Sequence, residues 1–464
     1  MKNISSYTTV REIYEAIAGN NNEMDGKLVV IDGWIRTNRN MGNIGFLSFN
    51  DGTCFKCAQL VYDNDTINFE QAIKAKLGQA VTITGVVSLT PGQKQPYEIK
   101  LKEFVLVGDV DDTYPLQKKK TGFEFLRTIP HIRPRANTFN ALYRVRSVLS
   151  FAIHEFFQGE GFVYVQTPIL TSNDCEGAGQ AFKVCTEDKK PETDYFGKPV
   201  SLTVSGQLHA EPFALTFRDV YTFGPTFRAE KSSTTRHASE FWMVEPEIAF
   251  ATIYDDIDLM EDFIKNIVKY VLVNCKDEMQ FFNDRIEPGL LDKLNRMVTE
   301  SYEIVSYDEA IEILTEAVKK GHKFEYNEIK WGMDLQSEHE RYIVEKVFNC
   351  PVFLINFPKD IKAFYMKQND DGRTVAGVDL LVPGVGEICG GSEREADLDK
   401  LKQRIKELGM DEKTYEWYLD TRRFGGCPHA GFGLGLDRLL MFITGITNIR
   451  DVLLYPRTYK EILY

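Results

Sequence analysis

The sequence has few cysteines, no long hydrophobic run and fewer basic than acidic residues. Eight cysteines in 464 residues are too sparse for a disulfide scaffold, and the lone Cys-x-x-Cys, Cys54 to Cys57, has no second pair or nearby histidine to complete a zinc site. No apolar stretch reaches the roughly 20 residues that span a bilayer, and residues 1–20 lack the apolar segment of a secretion signal. We therefore expect a cytoplasmic protein with no membrane partner.

Positive charge is scarce. Lys and Arg number 55 against 68 Asp and Glu, which gives a formal net charge of −13. Such a chain has no global attraction for nucleic acid, so a polyanionic partner must be held by a local basic patch. With 43% hydrophobic and 27% charged residues, the composition is that of an ordinary globular protein. The length predicts about two to four domains.

Residues 27–107 have the pattern of an all-β domain. Five short strand-like runs are separated by turn residues such as Asn50-Asp51-Gly52 and Pro91-Gly92. The third of these runs is predicted at Phe55 to Tyr62. Five strands in about 80 residues favour an OB-fold barrel, with another small barrel or a sandwich as the alternative. We place this domain at residues 1–110.

A basic segment follows the predicted barrel. Residues 118–146 contain eight Lys or Arg and a single acid, Glu124. This reversal of the average charge predicts a contact with a phosphate backbone, the alternative being a solvated hinge in which the charges cluster by chance. We place the hinge at residues 111–136.

From residue 137 the pattern indicates an α+β domain that extends to residue 464. Apolar residues recur every three or four positions up to Gly159, which predicts a long helix. Further helices are predicted at about 254–274, 307–319, 337–348 and 395–408. Strand-like runs lie near 162–165, 200–204, 220–223, 241–248 and 379–388. This order favours an antiparallel sheet covered by helices.

A charged hairpin is predicted between two of these strands, at residues 227–247. Arg228 and Glu230 are two apart and share one face of a strand. The planar guanidinium of Arg228 suits a phosphate, Glu230 could accept from an exocyclic amine, and Phe241 offers a flat face for a base. The pattern therefore predicts a nucleotide site, although a plain salt-bridged hairpin has the same composition.

Two more segments carry candidate ligands. Gly431, Gly433 and Gly435 alternate before Arg438, which leaves one face of a strand bare for a ligand, although packing alone explains many such glycines. The run lacks the ending of a Walker loop. Before it, a turn at Pro383-Gly384 would bring Asp379 and Glu387 onto neighbouring strands, where two carboxylates could hold Mg²⁺ beside a phosphate or merely decorate a hairpin.

Together these segments resemble the three signature motifs of class II aminoacyl-tRNA synthetases. The helix that ends near Phe157 and the strand that reaches Pro168 match the first motif, residues 228–247 the second and residues 431–438 the third. The OB-like domain places the chain in the aspartyl, asparaginyl and lysyl subgroup. The resemblance implies an N-terminal OB-fold barrel that binds the anticodon and a C-terminal class II domain built on an antiparallel sheet.

Within the subgroup, four stretches resemble asparaginyl enzymes: residues 174–179, 204–208, 358–365 and 427–432. Aspartyl enzymes carry a Lys three residues after the Gln that corresponds to Gln207, and this chain has Ala210 there. Glu211, the next residue, could accept from the amide of asparagine and would repel aspartate. The alternatives are an aspartyl-tRNA synthetase, including one that charges both tRNAs, a synthetase-like asparagine synthetase, and a non-catalytic nucleic-acid-binding module.

The resemblance also implies substrates and roles. ATP, L-asparagine and tRNA(Asn) would be the substrates, Mg²⁺ the cofactor, and a homodimer the assembly. The catalytic residues would be Arg228 and Arg438. The ATP site would comprise Arg228, Glu230, His237, Phe241, Glu387, Gly435 and Arg438. Glu387 would bind the metal, with Asp379 as a second candidate, although their spacing is one residue longer than in aspartyl enzymes.

The same resemblance assigns the remaining candidates. The amino-acid site would comprise Glu176, Gln207, Glu211 and Arg394. The anticodon would contact Arg39, Phe46 and Gln59, with Phe46 as the stacking platform for the central uridine and Phe49 as a core residue. The basic hinge would touch the tRNA between the two domains.

Overall fold

The computed structural model describes residues 8–19, 22–117, 121–173, 181–186 and 190–464. The chain divides into two compact units, Met1–Ala141 and Leu142–Tyr464. No helix within the described ranges is long and apolar enough to cross a membrane.

The first unit is a closed five-stranded barrel, which confirms the predicted OB-fold. Its strands follow the order β1-β2-β3-β5-β4. The helices and strands are α1 (Val10–Ala18), β1 (Leu28–Asn40), β2 (Ile44–Asn50), β3 (Ala58–Asp63), α2 (Phe69–Ile73), β4 (Ala80–Leu89), β5 (Tyr97–Gly108) and α3 (Phe123–Arg127).

The predicted third strand starts three residues later than expected. The side-chain amide of Asn50 donates to the carbonyls of Cys54 and Lys56 at 3.0 and 2.9 Å. These bonds hold the connection in a loop, so β3 begins at Ala58 rather than Phe55. Phe49 is fully buried in the barrel, as expected for a core residue.

The second unit carries the remaining elements. Its first helix, α4, starts at Asn137, a few residues before the boundary between the units at Leu142. The helices are α4 (Asn137–Gly159), α5 (Gln207–Phe217), α6 (Ile253–Asn274), α7 (Lys276–Arg285), α8 (Leu290–Thr299), α9 (Tyr307–Lys319), α10 (Ser337–Tyr342), α11 (Leu398–Glu407), α12 (Glu416–Arg423) and α13 (Leu436–Thr444). The strands are β6 (Val163–Tyr164), β7 (Leu170–Thr171), β8 (Lys183–Val184), β9 (Val200–Leu202), β10 (Asp219–Phe227), β11 (Glu240–Ala249), β12 (Glu303–Ser306), β13 (Val352–Pro358), β14 (Thr374–Val382), β15 (Gly386–Glu393), β16 (His429–Gly435), β17 (Arg457–Thr458) and β18 (Glu461–Ile462).

An eight-stranded sheet organises this unit, in the order β12-β13-β14-β15-β16-β11-β10-β6. The six central strands pair with one another in antiparallel fashion, as predicted, whereas the edge strands β6 and β12 pair in parallel with β10 and β13. The run at 200–204 does not join this sheet, contrary to the prediction. It forms β9, which pairs with the nearby β7 and β8 in a small separate sheet.

Aromatic packing joins α4 to the sheet and to α6. The ring of Phe157 on α4 stacks on Tyr221 of β10 with centroids 4.7 Å apart, and it lies equally close to Phe263 of α6. All three side chains are fully buried. The first motif therefore ends in the core that supports the sheet.

Candidate functional site

The central strands of the sheet form one wall of a cavity of about 600 Å³. Its lining brings together residues that lie more than 200 positions apart in the sequence. Of the sequence-predicted residues, it contains Gln207, Arg228, Glu230, His237, Phe241, Asp379, Glu387, Arg394, Gly435 and Arg438.

Two arginines from different motifs face this cavity. The Arg228 guanidinium lies 5.5 Å from the ring centroid of Phe241, and its Nη2 donates to the Val204 carbonyl at 3.4 Å. Arg438, in the first turn of α13, has Nη1 at 3.4 Å from a carboxylate oxygen of Glu387. Asp437 beside it accepts from Arg146 of α4 at 2.5 Å, which fixes the start of α13.

The alternating glycines of β16 allow close packing against β11 and also leave space in the cavity. A Cβ on Gly431 would collide with the Pro246 carbonyl, and one on Gly433 would lie 2.5 Å from Cε of Met243. Strands β11 and β16 therefore need these glycines to pack together. Gly433 and Gly435 also line the cavity, so their missing side chains leave room above the sheet.

His237 and Glu230 lie near each other on the loop between β10 and β11. Nε2 of His237 is 3.6 Å from a carboxylate oxygen of Glu230, and Nδ1 is 2.5 Å from Oγ1 of Thr234. Burial, together with the positive charge of Arg438, lowers the pKa of His237. The imidazole is consequently neutral at neutral pH and adds no charge to that of the arginines.

Asp379 and Glu387 converge at one point of the cavity wall. A Cβ at Gly390 would lie 3.2 Å from Oδ1 of Asp379 and 3.2 Å from Oε1 of Glu387. A register shift between Leu380 and Leu381 inserts an extra residue into β15 and keeps both carboxylates on one face. This bulge accounts for the unusual spacing noted in the sequence.

The two carboxylates differ in their environment. Lys362 Nζ donates to Asp379 at 2.7 Å. Burial raises the pKa of Asp379 to about 6, against the opposing effect of this ammonium. Burial acts in the same direction on Glu387, but Arg438 and Lys362 outweigh it and lower the pKa of Glu387. Glu387 is therefore ionised at neutral pH.

At the other end of the cavity, charged side chains are buried in pairs. Arg394 donates from Nη2 and Nε to the carboxylate of Glu247, at 2.5 and 3.2 Å, and from Nη1 to Ser392 at 2.7 Å. Arg394 is 3% exposed and Glu247 is fully buried. Arg394 can therefore present a fixed charge to the cavity without moving.

Glu211 lies behind Gln207 and does not line the cavity. Its carboxylate accepts from the Gln207 amide at 3.1 Å, and its other bonds go to Tyr418, Arg422 and His429 at 2.8 to 2.9 Å. Burial alone would raise the pKa of Glu211, but Arg422 and His429 lower it below the usual value. Direct contact of Glu211 with a substrate amide stays a prediction, and Glu176 lies outside the described residues.

The barrel holds a second group of predicted residues on its outer face. Arg39 on β1 is paired opposite Phe46 on β2, and Ser48 of β2 is opposite Gln59 on β3. Because alternate residues of a strand share a face, the three predicted side chains lie on the same side. Gln59 Nε2 donates to Glu98 on β5 at 2.5 Å, which fixes the orientation of its amide.

The basic hinge is only partly available for a polyanion. Arg133 is fully buried, with its guanidinium 4.3 Å from the ring centroid of Phe139, and Arg146 is paired with Asp437. Both belong to the predicted basic segment 118–146, with Arg146 beyond the hinge at 111–136, and each already has a partner within the protein. Lys118 to Lys120 lie outside the described residues.

Two family models match the chain. Residues 124–459 match the tRNA synthetases class II (D, K and N), and residues 29–107 match the OB-fold nucleic acid binding domain. The chain is 52% identical to an asparagine--tRNA ligase of Clostridium beijerinckii over 460 residues, which covers 97% of each chain. It is also 52% identical to the asparagine--tRNA ligase of a Bacillus cereus strain, over 97% of this chain and 98% of the relative.

The chain belongs to the asparagine--tRNA ligase family of class II synthetases. A solved structure gives the same result for the fold. Asparaginyl-tRNA synthetase from Pyrococcus horikoshii, complexed with asparaginyl-adenylate, superposes with a TM-score of 0.87 at 34% identity and 99% coverage of both chains.

In this class II synthetase, the sequence-based prediction missed two residues of the cavity wall and a third residue that contacts the wall without lining the cavity. Lys362 lies within a stretch that resembled asparaginyl enzymes, and Arg236 lies within the second motif, so both were visible but received no role. No motif in the sequence around Glu340 indicates a functional role for this residue. It comes from α10, and burial and the nearby Glu387 raise its pKa to about 7.

Proposed function

We propose that this chain ligates L-asparagine to tRNA(Asn) at the expense of ATP. The asparagine carboxylate attacks the α-phosphorus of ATP, which forms asparaginyl-adenylate and releases pyrophosphate. A hydroxyl of the terminal adenosine of the tRNA then attacks the adenylate, and AMP leaves. The observation that carries this proposal is the convergence of Arg228 and Arg438 on one cavity in a chain about half identical to asparagine--tRNA ligases.

At the nucleotide end, the proposed roles follow the positions of the side chains. Arg228 binds the α-phosphate and the attacking carboxylate, where charge shifts in the transition state. Adenine stacks on Phe241, and Glu230 accepts from its exocyclic amine. Neutral His237 and cationic Arg438 bind the β- and γ-phosphates, and Gly435 leaves space for them.

Asp379 and Glu387 suit Mg²⁺. The ion prefers oxygen ligands, usually one or two carboxylates completed by substrate phosphates, and two carboxylate oxygens meet here beside the proposed phosphate site. When bound, Mg²⁺ would neutralise phosphate charge. Lys362 holds Asp379 in place and balances part of its charge in the protein itself.

At the amino-acid end, Arg394 binds the side-chain oxygen of asparagine, and Glu176 and Gln207 bind its ammonium. Glu211 discriminates against aspartate, because a second carboxylate near its buried negative charge would be repelled. Ala210 is fully buried and supplies no cation that could pair with aspartate.

The barrel binds the anticodon in this proposal. The central uridine stacks on Phe46, and the fixed amide of Gln59 offers hydrogen bonds to its edge. Arg39 contacts a base or a phosphate beside it. We propose that the reaction takes place in the cytoplasm, where ATP and tRNA are available.

We also propose a homodimer that forms through α4. Phe151 on this helix is 60% exposed, and its only described ring neighbour is Tyr270 of α6, at a centroid distance of 6.4 Å. A large apolar side chain exposed on a helix of the first motif supports a contact with a second copy, as the resemblance implies.

Exchange of pyrophosphate into ATP, measured separately with asparagine and with aspartate, tests this function. We expect exchange that depends on asparagine, with aspartate at least about 10²-fold weaker in kcat/KM because of the charge it would bring near Glu211. Stronger exchange with aspartate would identify an aspartyl enzyme instead. Exchange with asparagine but no charging of tRNA(Asn) would contradict the second step.

A further inference from the structure

Helix α10 reaches the cavity wall from a part of the chain that has no role in the reaction proposed above. Nη1 of Arg236 donates to Oγ of Ser337 at 2.5 Å and lies 3.7 Å from a carboxylate oxygen of Glu340. Arg236 belongs to the loop between β10 and β11 and lines the cavity. The helix therefore binds this loop through two of its side chains.

Glu340 also binds the hairpin that carries Glu387. The backbone N–H of Glu387 donates to Oε2 of Glu340 at 3.2 Å, and Nη2 of Arg236 donates to the Glu387 carbonyl at 3.4 Å. Gly386 adopts φ +82°, and a Cβ there would collide with the Glu340 carboxylate. The hairpin is thus shaped around Glu340, which connects Arg236 with the residue proposed to hold the metal.

Charge explains why such a connection is needed. Arg236 is mostly buried, with its side chain 16% exposed, and the positive charge of Arg438 acts on it unfavourably. Two guanidiniums that face the same cavity repel each other unless an anion lies beside them. Glu340, whose side chain is 14% exposed, places a carboxylate beside Arg236 without lining the cavity itself.

We propose that Glu340, assisted by Ser337, is a positioning residue for the triphosphate end of the ATP site. It holds Arg236 beside Arg438 and fixes the backbone of Glu387, so that three groups are ready for the phosphates before ATP arrives. This inference rests on the proposed function, because it assumes that the cavity binds ATP. It gives α10 a part in catalysis although no residue of that helix lines the cavity.

The chain offers a matched control in Glu345. Its carboxylate accepts from the N–H of Gly384, in the same hairpin, at 2.9 Å and pairs with Arg341 at 2.8 Å. It does not line the cavity. Glu345→Gln therefore removes a charge next to the same turn without altering the contact with Arg236.

Pyrophosphate exchange with the full chain tests the proposal. We expect Glu340→Gln to raise KM for ATP at least about 5-fold, with KM for asparagine within 2-fold of the parent, because only the phosphate end is loosened. Ser337→Ala should have the same effect in weaker form, and Glu345→Gln should resemble the parent. If Glu340→Gln fails to fold, Ser337→Ala tests the proposal instead, by whether KM for ATP rises while KM for asparagine stays near that of the parent.

A second measurement tests whether Glu340 holds the loop of Arg236 in place, and it does not require the catalysed reaction. Trypsin cleaves after arginine, so mass spectrometry can follow cleavage between Arg236 and His237 in the absence of ATP. We expect faster cleavage in Glu340→Gln than in the parent, and parental rates in Glu345→Gln. Equal rates in all three proteins would show that Glu340 does not hold the loop.

The outcomes separate this inference from the proposed function. A parent without asparagine-dependent exchange would refute both the proposed function and the assignment of Glu340 to it. An active parent in which Glu340→Gln matches Glu345→Gln, or in which both KM values rise equally, would refute only the inference about α10.

Discussion

In the proposed reaction, Arg228 has the largest chemical task of any side chain in the cavity. Its guanidinium lies over Phe241 on a loop that follows β10, where in that reaction it would bind both the α-phosphate and the attacking carboxylate. Removing one preorganised donor of this kind from a transition state typically reduces the rate about 10²- to 10³-fold. Arg228 lies beyond the last paired residue of β10, Phe227, so its side chain is not needed for the pairing of β10 with β11.

We therefore predict that Arg228→Ala reduces kcat/KM for pyrophosphate exchange by about 10²-fold or more, with thermal unfolding close to that of the parent. Arg423→Ala is the control, because that arginine is 39% exposed in its side chain and pairs only with Asp420 among its described ion pairs. Exchange near the parental rate in Arg228→Ala would rule out the phosphate role.

Asp256 is a single residue whose environment affects the stability of the protein rather than catalysis. It is fully buried on α6, and neither of its carboxylate oxygens has a hydrogen-bond partner among the described residues. Burial raises the pKa of Asp256 well above its ordinary value. The folded protein therefore holds a proton there that the unfolded chain releases once the pH exceeds about 4.

It follows that the parent loses stability as the pH rises from about 4 toward the raised pKa, because the folded state binds more protons than the unfolded state. An asparagine at position 256 would have nearly the same shape as the aspartate and would not titrate. We predict that Asp256→Asn is more stable than the parent at pH 7, on the order of 1–3 kcal/mol, and that the difference shrinks toward pH 4. Chemical unfolding at several pH values measures this, and a pH-independent difference would contradict it.

At the scale of elements, the three strands β1, β2 and β3 of the barrel form a surface that is separate from the chemistry. Arg39, Phe46 and Gln59 share one face because the pairing places them opposite or diagonal to one another. Alternate positions such as Leu47 and Leu60 point into the core and are fully buried. A substitution on the outer face should therefore leave both the barrel and the cavity of the second unit intact.

We predict that Gln59→Ala raises KM for tRNA(Asn) in aminoacylation at least about 10-fold, since a lost hydrogen bond to a base is worth about 1–3 kcal/mol. Pyrophosphate exchange, which needs no tRNA, should stay within 2-fold. Gln71→Ala on α2 serves as the control. An equal loss in both assays would show that the face of β3 does not bind the anticodon.

The elements also show how far sequence reasoning reaches. Helices α6 and α9 and strand β11 were predicted within a residue or two, because alternation and helical spacing are local properties. The predicted strand at 379–388 is instead divided between β14 and β15 by the expected turn at Pro383-Gly384. The separate pairing of β9 and the ion pair of Arg146 with Asp437 depend on contacts between residues that are far apart in the sequence. The contact of α10 with Arg236 was missed for the same reason, since nothing local marks Glu340.

At the scale of the whole molecule, α4 links the proposed dimer to the cavity. Arg146, five residues before the exposed Phe151, is paired with Asp437, and Asp437 also accepts from the N–H of Trp242 on β11. All three motifs therefore meet at one carboxylate beside Arg438. A change in the position of α4 would be transmitted to the phosphate end of the site.

We predict that Phe151→Glu weakens the homodimer and produces monomers at micromolar concentration in sedimentation velocity, because a charge at the centre of an apolar contact is costly. Exchange activity should fall with dissociation. Phe424→Glu, at another exposed aromatic of the same unit, should keep the parental mass. A parent that sediments as a monomer would contradict the proposed assembly.

The saturated carboxylate of Glu211 limits how this enzyme can change. Four neighbours already donate to it, so replacing Glu211 alone would strand Arg422, His429 and Tyr418 in a dry interior. In the proposed role of Glu211 as the residue that rejects aspartate, evolution toward another amino acid would therefore have to alter several of these positions together. Single substitutions of Glu211 should destabilise the folded protein before they allow a new substrate to bind. The proposed preference for asparagine should therefore withstand random mutation.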